Sequence, residues 1–481
     1  MRASKLIASK QPVPITIPRF ILAGLSGGTG KTIVSLGLAR AFHLRGLRVA
    51  PFKKGPDYID AKWLGLAADS VCSNLDPFFH TDSMLQSLLV HKSAGRDISL
   101  IEGNRGLFDG KDRHGSCSTA ELARKLDTPV ILTIDCTKMT RTVAAIVQGC
   151  VHFEQGLNLA GVILNRTAGK RHRSVLKQSI EEHTDIPVLG MLPKLKDNPI
   201  PERHMGLMSD QEYDGTDYGN EQKALDALAT MAEEWLDLEA ILEIASAAPS
   251  VSTQVPQLFP GDPKPRNVRI GYVHDAALWF YYPENLEALE HAGAELVRLS
   301  LLSDEPWPEV DGLYIGGGFP EVFADRIASN RDVLDSLRQL SEAGAPVYAE
   351  CGGFMVLCDY LKTDDNTYPM AGVFPVGTTF CQRPQGLGYT EAVAVRDTVF
   401  FPEGGRVLGH EFHYSVCLDK EKESLDFAMR MDRGKGIGIG WDGLHVNNTL
   451  AGYNHTHALA VPEWAPRFVE AARRFRGSRD L

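Results

Sequence analysis

Short apolar runs alternate with glycine-rich turns and helix-length stretches over residues 17–193. The run at 20–23 leads into Gly24-Leu25-Ser26-Gly27-Gly28-Thr29-Gly30-Lys31-Thr32, and 33–42 then has a helical pattern. Further apolar runs lie at 48–52, 98–101, 129–134, 159–164 and 187–191, with helical patterns at 119–126 and 142–153. Strands that are apolar on both faces and alternate with helices predict a parallel sheet covered on both sides. In such sheets ligands sit outside the carboxyl ends of the strands, so the polar residues just after each run become candidates.

Residues 245–267 change character, with Pro249, Pro256, Pro260, Pro263 and Pro265 among small polar residues. This is linker composition. The expected division is a phosphate-loop domain at 17–243, a linker at 244–266 and a second α/β domain at 267–475. The second pattern begins with strands at 268–273, 296–299 and 312–315 and a helix at 283–292. Gly316-Gly317-Gly318 follows, then an apolar strand leading to Cys351-Gly352-Gly353 and an apolar helix expected at 354–361.

Composition narrows the function classes. A chain of 481 residues exceeds one core, and two to three domains follow. No apolar run approaches the length of a membrane span, and residues 1–9 lack the apolar core of a signal peptide, so no membrane partner is expected. The net charge of −11 argues against nucleic acid, and the basic cluster at 170–173 reads as a solvated helix start. Eight cysteines show neither CxxC pairs nor zinc spacing, which suits a reducing cytoplasm. A homodimer is compatible with all of this.

The first chemistry is a phosphate cradle. A strand, a glycine-rich turn and a helix opening in Gly-Lys-Thr let backbone N–H groups converge on phosphate oxygens. Gly27, Gly28, Thr29 and Gly30 would form the cradle for ATP, Lys31 would reach the outer phosphates, and the Thr32 hydroxyl would face Mg²⁺. Leu25 stands where the plain Walker pattern wants glycine, and five residues separate Gly24 from Gly30. That spacing resembles the dethiobiotin-synthetase and MinD-like branch. Where MinD-type switches carry an extra lysine this chain has Ser26, which favours an enzyme over a non-enzymatic ATPase switch with an inactive second domain.

Carboxylates straight after buried strands and facing such a loop are candidate metal ligands. Glu102 and Asp57 fit, with Lys53 beside them and Asp60 ordering the site. The second chemistry centres on Cys351. A strand–turn–helix elbow exposes a nucleophile, the Gly352 N–H and the turn at Gly317 and Gly318 are oxyanion donors, and His455 is the base. His455 and His457, two apart, would also suit a metal, but no third ligand with suitable spacing is apparent.

Cys351 with its late histidine resembles the triad glutamine amidotransferases, whose late motif is His-x-Glu. His457 stands where the glutamate would be, so orientation of the His455 imidazole must come from elsewhere. The whole chain resembles the cobyrinic acid a,c-diamide synthase family. The resemblance is carried by residues 55–60, 102–110, 118–123, 201–204, 383–389 and 409–415.

It implies a dethiobiotin-synthetase-like ATPase domain and a class I glutamine amidotransferase-like domain. Together they would amidate the a and c acetates of a tetrapyrrole polycarboxylate with ATP, Mg²⁺ and L-glutamine. Cobyrinate is the favoured substrate, and sirohaem or a metallo-sirohydrochlorin the runner-up. Thr32, Asp57 and Glu102 would hold metal, Lys31 and Lys53 phosphate, and Asn165 the adenine edge. Arg203, His204, Arg383, His410 and His413 are candidate contacts for substrate carboxylates. Ammonia must stay unprotonated in transit, which calls for a sheltered path.

Overall fold

The computed structural model describes residues 14–195, 200, 202–203, 206–207, 220–364, 366–419, 424–438 and 440–479. The chain divides into two units, the first closing at Leu258 and the second opening at Phe259.

In the first unit β1 (Arg19–Gly24), β2 (Val49–Lys54), β3 (Ser73–Leu75), β4 (Ile98–Glu102), β5 (Val130–Asp135), β6 (Leu159–Thr167) and β7 (Val188–Pro193) make one sheet. Its order is β3-β2-β4-β1-β5-β6-β7, and every pairing is parallel. The crossovers contain α1 (Lys31–Leu44), α2 (Ile59–Ala68), α3 (Asp82–Lys92), α4 (Thr119–Lys125), α5 (Thr142–Phe153) and α6 (Lys170–His183). Every residue of β1, β2 and β4 is buried, as continuous apolar runs require. Winding reverses at β1, which lies between β4 and β5, so the turn after β1 opens at the switch point where α/β sheets bind ligands. The helix Leu238–Ser246 and a bridge from Ile15 to Val251 carry the order of this unit past residue 243, into the stretch whose prolines predict a linker.

The second unit holds a ten-stranded sheet in which Ala294–Leu299, Val268–Val273, Gly312–Ile315, Val347–Glu350 and Thr449–Gly452 are successive parallel neighbours. The strands beyond, from Trp441–Val446 to His455–Thr456, pair antiparallel. Alternation sorts the central strands by face. Leu313, Ile315, Val347 and Ala349 enter one core with Phe354. Tyr314 and Tyr348 enter another, under Trp464 and Phe468 of the helix Trp464–Arg479.

The helix expected at 354–361 is shorter, Gly352–Leu357, and Cys358–Lys362 is a strand of a separate four-stranded sheet. The carbonyls of Val356, Leu357 and Cys358 accept from the amides of Ala371, Val373 and Gly372, at 3.0, 2.9 and 2.9 Å. Those acceptors are no longer available to a continuing helix.

Candidate functional site

In the first unit the loop between β1 and α1 is shaped by two close approaches. Gly30 caps α1 at φ 89°, and a Cβ there would lie 2.2 Å from Asn165 Nδ2. A Cβ on Gly24 would lie 2.4 Å from Thr29 Oγ1. Gly30→Ala would add left-handed strain of about 1–2 kcal/mol and displace Asn165. Its ATP affinity should fall at least about tenfold, read by calorimetric titration. Lys31, buried, donates from Nζ to the Ser26 carbonyl at 3.0 Å. Burial pulls its pKa down, against the opposing pull of Glu102.

Register explains the carboxylates. Lys53 on β2 and Leu22 on β1 both pair with Glu102 at the end of β4, so a cation and an anion meet beside the loop. Glu102 is fully buried, and its Oε1 accepts from Thr32 Oγ1 and Lys53 Nζ, both at 2.8 Å. Lys53 Nζ also reaches Asp60 Oδ2 at 2.6 Å and Asp57 Oδ2 at 3.9 Å. Burial opposes the Lys53 charge, but Asp60, Glu102 and Asp57 outweigh it and hold the ammonium well above its ordinary range. Burial, with Asp60 adding, pushes the Asp57 carboxyl up to about 7.

The structure thus brings Lys31, Thr32, Lys53, Asp57, Asp60 and Glu102 together. Among the described residues no three carboxylate, histidine or cysteine side chains form a ready-made metal cage. Glu102 Oε2 is buried with no hydrogen-bond partner, and with the Thr32 hydroxyl and Asp57 it gives the all-oxygen donor set that Mg²⁺ takes alongside a phosphate.

A cleft of about 840 Å³ runs from Gly28, Gly30 and Thr32 past Asn165 to apolar Leu192, Leu195 and Met231. Asn165 donates to the Thr29 carbonyl at 2.9 Å and accepts from the Arg166 amide at 2.8 Å. One further donor and one lone pair remain on its amide. Asp135 and Arg166, which follow the apolar runs at 129–134 and 159–164, form an ion pair in the same cleft.

In the second unit three neighbouring parallel strands release their loops at one edge of the sheet. Gly316–Gly318 follows Ile315, Cys351 follows Glu350, and Tyr453–His455 follows Gly452. Cys351 sits at φ 49°, ψ −100°, a strained conformation held by its N–H to the Gly452 carbonyl at 2.7 Å and by Met355 N–H to its own carbonyl at 3.1 Å. A Cβ on Gly352 would lie 2.9 Å from Gly318 N, and one on Gly317 would lie 2.5 Å from His455 Cε1. The glycines therefore admit the expected oxyanion donors and the imidazole to one small space. Burial pushes the Cys351 thiol up, Glu321 and Glu350 add to this, and the Gly352 N–H opposes it. A thiol so held needs a base to ionise it.

His455 is buried, its ring stacked on His410 at 4.8 Å, with Nδ1 3.5 Å from Glu350 Oε2. His457 turns away to Glu284, Nε2 to Oε2 3.7 Å, so the two histidines do not share a metal position. Glu350 was missed in the sequence. The available signal was an acid ending an apolar strand, since a buried carboxylate requires partners.

Two proposed substrate contacts need correction. His410 and His413 are buried and offer no surface to a macrocycle. Burial, with His455 and His457 adding, holds His410 well below the usual histidine range, and its Nδ1 meets Tyr282 Oη at 3.2 Å. His413 stacks on Tyr453 at 3.7 Å and bonds the Ser415 carbonyl at 2.7 Å. Arg383 is exposed. His204 and the side chain of Arg203 lie outside the described residues.

Residues 20–207 match the CobQ/CobB/MinD/ParA nucleotide binding domain, and residues 269–462 the CobB/CobQ-like glutamine amidotransferase domain. The cobyrinate a,c-diamide synthase of Magnetococcus marinus is 41% identical over 476 residues, covering 97% of this chain and 99% of the relative. Those of Archaeoglobus fulgidus and Methanosarcina acetivorans are 38% and 37% identical, covering 96% of this chain and 98% and 97% of the relatives. With both domains matched and the relatives spanned nearly end to end, the chain belongs to the cobyrinate a,c-diamide synthase family.

Proposed function

We propose that the chain converts cobyrinate to cobyrinate a,c-diamide, using ATP at the first unit and glutamine at the second. As a member of this family it is a glutamine-hydrolysing ligase. The carrying observation is the junction of Lys31, Thr32, Lys53, Asp57, Asp60 and Glu102 at the loop, in a chain that also sets Cys351 at a strained elbow beside His455.

Resonance and charge protect a carboxylate from ammonia. Phosphoryl transfer from ATP removes that protection and gives an acyl phosphate, and catalysis is then positioning plus charge stabilisation. Lys31 follows the phosphoryl group, and Lys53, locked by Asp60 and Glu102, fixes the field around it. Mg²⁺ would be held by Thr32, Asp57 and Glu102, and when bound it neutralises charge between the two anions. Asn165 lies beside the apolar end of the cleft, which suits an adenine edge.

In the second unit Cys351 attacks the glutamine side-chain amide, and His455 takes the thiol proton and passes it to the departing nitrogen. Ammonia leaves, and water cleaves the glutamyl thioester to glutamate. Gly317, Gly318 and Gly352 stabilise the oxyanion through backbone N–H groups. The ammonia displaces phosphate from the activated acetate, once at a and once at c.

No helix among the described residues is long and apolar enough to cross a membrane. All eight cysteines are thiols, which supports a reducing, cytoplasmic setting. To test the substrate, cobyrinate, sirohydrochlorin and sirohaem are offered separately with ATP, Mg²⁺ and glutamine, and the amides are counted by mass spectrometry. Two amides on cobyrinate are expected. Two on sirohaem and none on cobyrinate would reverse the assignment.

A further inference from the structure

We infer that Glu350, the residue directly before the nucleophile, is the positioning residue of His455. It takes the part for which a His-x-Glu motif would use residue 457. The inference rests on Cys351 and His455 being the glutaminase pair.

Glu350 ends an interior strand of the ten-stranded sheet, on the face of Tyr314 and Tyr348 and opposite to Ala349. The elbow then turns the chain so that Cys351 and the Glu350 carboxylate serve one imidazole from adjacent residues. The carboxylate is fully buried. Its Oε1 accepts from the Thr456 amide at 3.0 Å, and its Oε2 from Tyr314 Oη at 3.1 Å. His455 Nδ1 lies 3.5 Å from Oε2, which puts the imidazole in ion-pair reach of Glu350. At 3.5 Å this is an ion-pair contact, and catalytic contacts that are long in a free enzyme often tighten to hydrogen bonds with substrate.

The supports of Glu350 lead back to the histidine segment. Tyr314 Oη accepts from Asn285 Nδ2 at 3.1 Å, and the same Asn285 donates to the Thr456 carbonyl at 2.8 Å and accepts from the Ala458 amide at 2.7 Å. His457 is committed elsewhere, to Glu284 and to the ring of Tyr282 at 4.5 Å.

An acceptor-only group is what this position needs. With Glu350 accepting at Nδ1–H, the His455 proton stays on Nδ1 and Nε2 is free to take the Cys351 proton. The S–H bond breaks as Nε2–H forms, and the carboxylate stabilises the resulting imidazolium. A glutamine at 350 cannot accept at both positions. If its oxygen faces Thr456, its NH₂ meets Nδ1 and drives the proton to Nε2, the wrong tautomer. If its oxygen faces His455, its NH₂ confronts the buried Thr456 N–H.

The test uses the full chain with Glu350→Gln, Glu350→Asp and Tyr314→Phe. For Glu350→Gln the glutaminase kcat should fall about 10²–10⁴-fold, with KM for glutamine within about threefold and ammonia-supported amidation kept. Glu350→Asp should recover part of the loss, because it restores an acceptor-only group. A glutaminase kcat within about threefold of the parent for Glu350→Gln would overturn the assignment. So would equal loss of glutamine- and ammonia-supported turnover, the mark of a structural role. Should Glu350→Gln not fold, Tyr314→Phe decides. A fall in glutaminase kcat of about tenfold, with ammonia-supported turnover kept, supports the role, and an unchanged kcat removes it. Cys351→Ala separates this from its premise, since glutaminase that survives that change would mean Cys351 is not the nucleophile.

Discussion

Cys351→Ala is expected to abolish glutamine-supported amidation, by about 10⁴-fold or more, and to leave ammonia-supported amidation near the parent rate. Alanine keeps the Cβ and the same strain at φ 49°, so the substitution isolates the sulfur. The glycine backbone, the Glu350 carboxylate and the imidazoles beside the elbow cannot form the thioester. The thiols of Cys358 and Cys417 share its core but are buried against the Phe354 and Leu418 carbonyls, away from the strained elbow position. Side-by-side steady-state assays with glutamine and with ammonium salts at raised pH, where more free base is present, give the comparison. A synthetase that used free ammonia alone would lose nothing in the glutamine assay, and a structural cysteine would lose both activities together.

The first unit was the more legible in the sequence, for a physical reason. Strands buried on both faces must be nearly continuous apolar text, so β1, β4 and β5 stand out, and a charged residue at the end of such a strand needs a purpose. Lys53 and Glu102 met both conditions and lie 2.8 Å apart. β3, three residues long and reading Ser-Asn-Leu, carries no such signal. The second unit was legible only along its parallel half. Cys358–Lys362 reads as the continuation of an apolar helix, and only the amides of Ala371, Gly372 and Val373, far along the chain, end that helix. His410 and His413 read as surface ligands because polar text usually is exposed. Their strand, Arg406–His413, instead lies between two others, and both imidazoles are buried in stacked contacts. Glu350 was hidden by its neighbour. Beside a nucleophile the carboxylate reads as part of the strand, and its link to His455 spans parallel strands that periodicity alone does not pair.

Glu102→Gln should give the opposite signature to Cys351→Ala. Amidation should fall about 10²–10⁴-fold with either nitrogen source, while glutaminase persists. The change is nearly isosteric, so the argument turns on charge and lone pairs. Glu102 Oε1 accepts from both Thr32 Oγ1 and Lys53 Nζ, and Oε2 is buried without a partner. A glutamine that keeps its oxygen toward Lys53 places NH₂ where Oε2 was, so the lone pairs proposed for Mg²⁺ are lost with the negative charge. The reverse orientation sets NH₂ against the Lys53 ammonium. Lys53 keeps Asp60 at 2.6 Å in either case, so the fold should survive and the loss should fall on kcat. Assays at saturating ATP, with the thermal midpoint as a control, measure it. Amidation near the parent rate in a folded Glu102→Gln variant would remove Glu102 from the activating site and leave Asp57 and Asp60 as the carboxylates facing the phosphate loop.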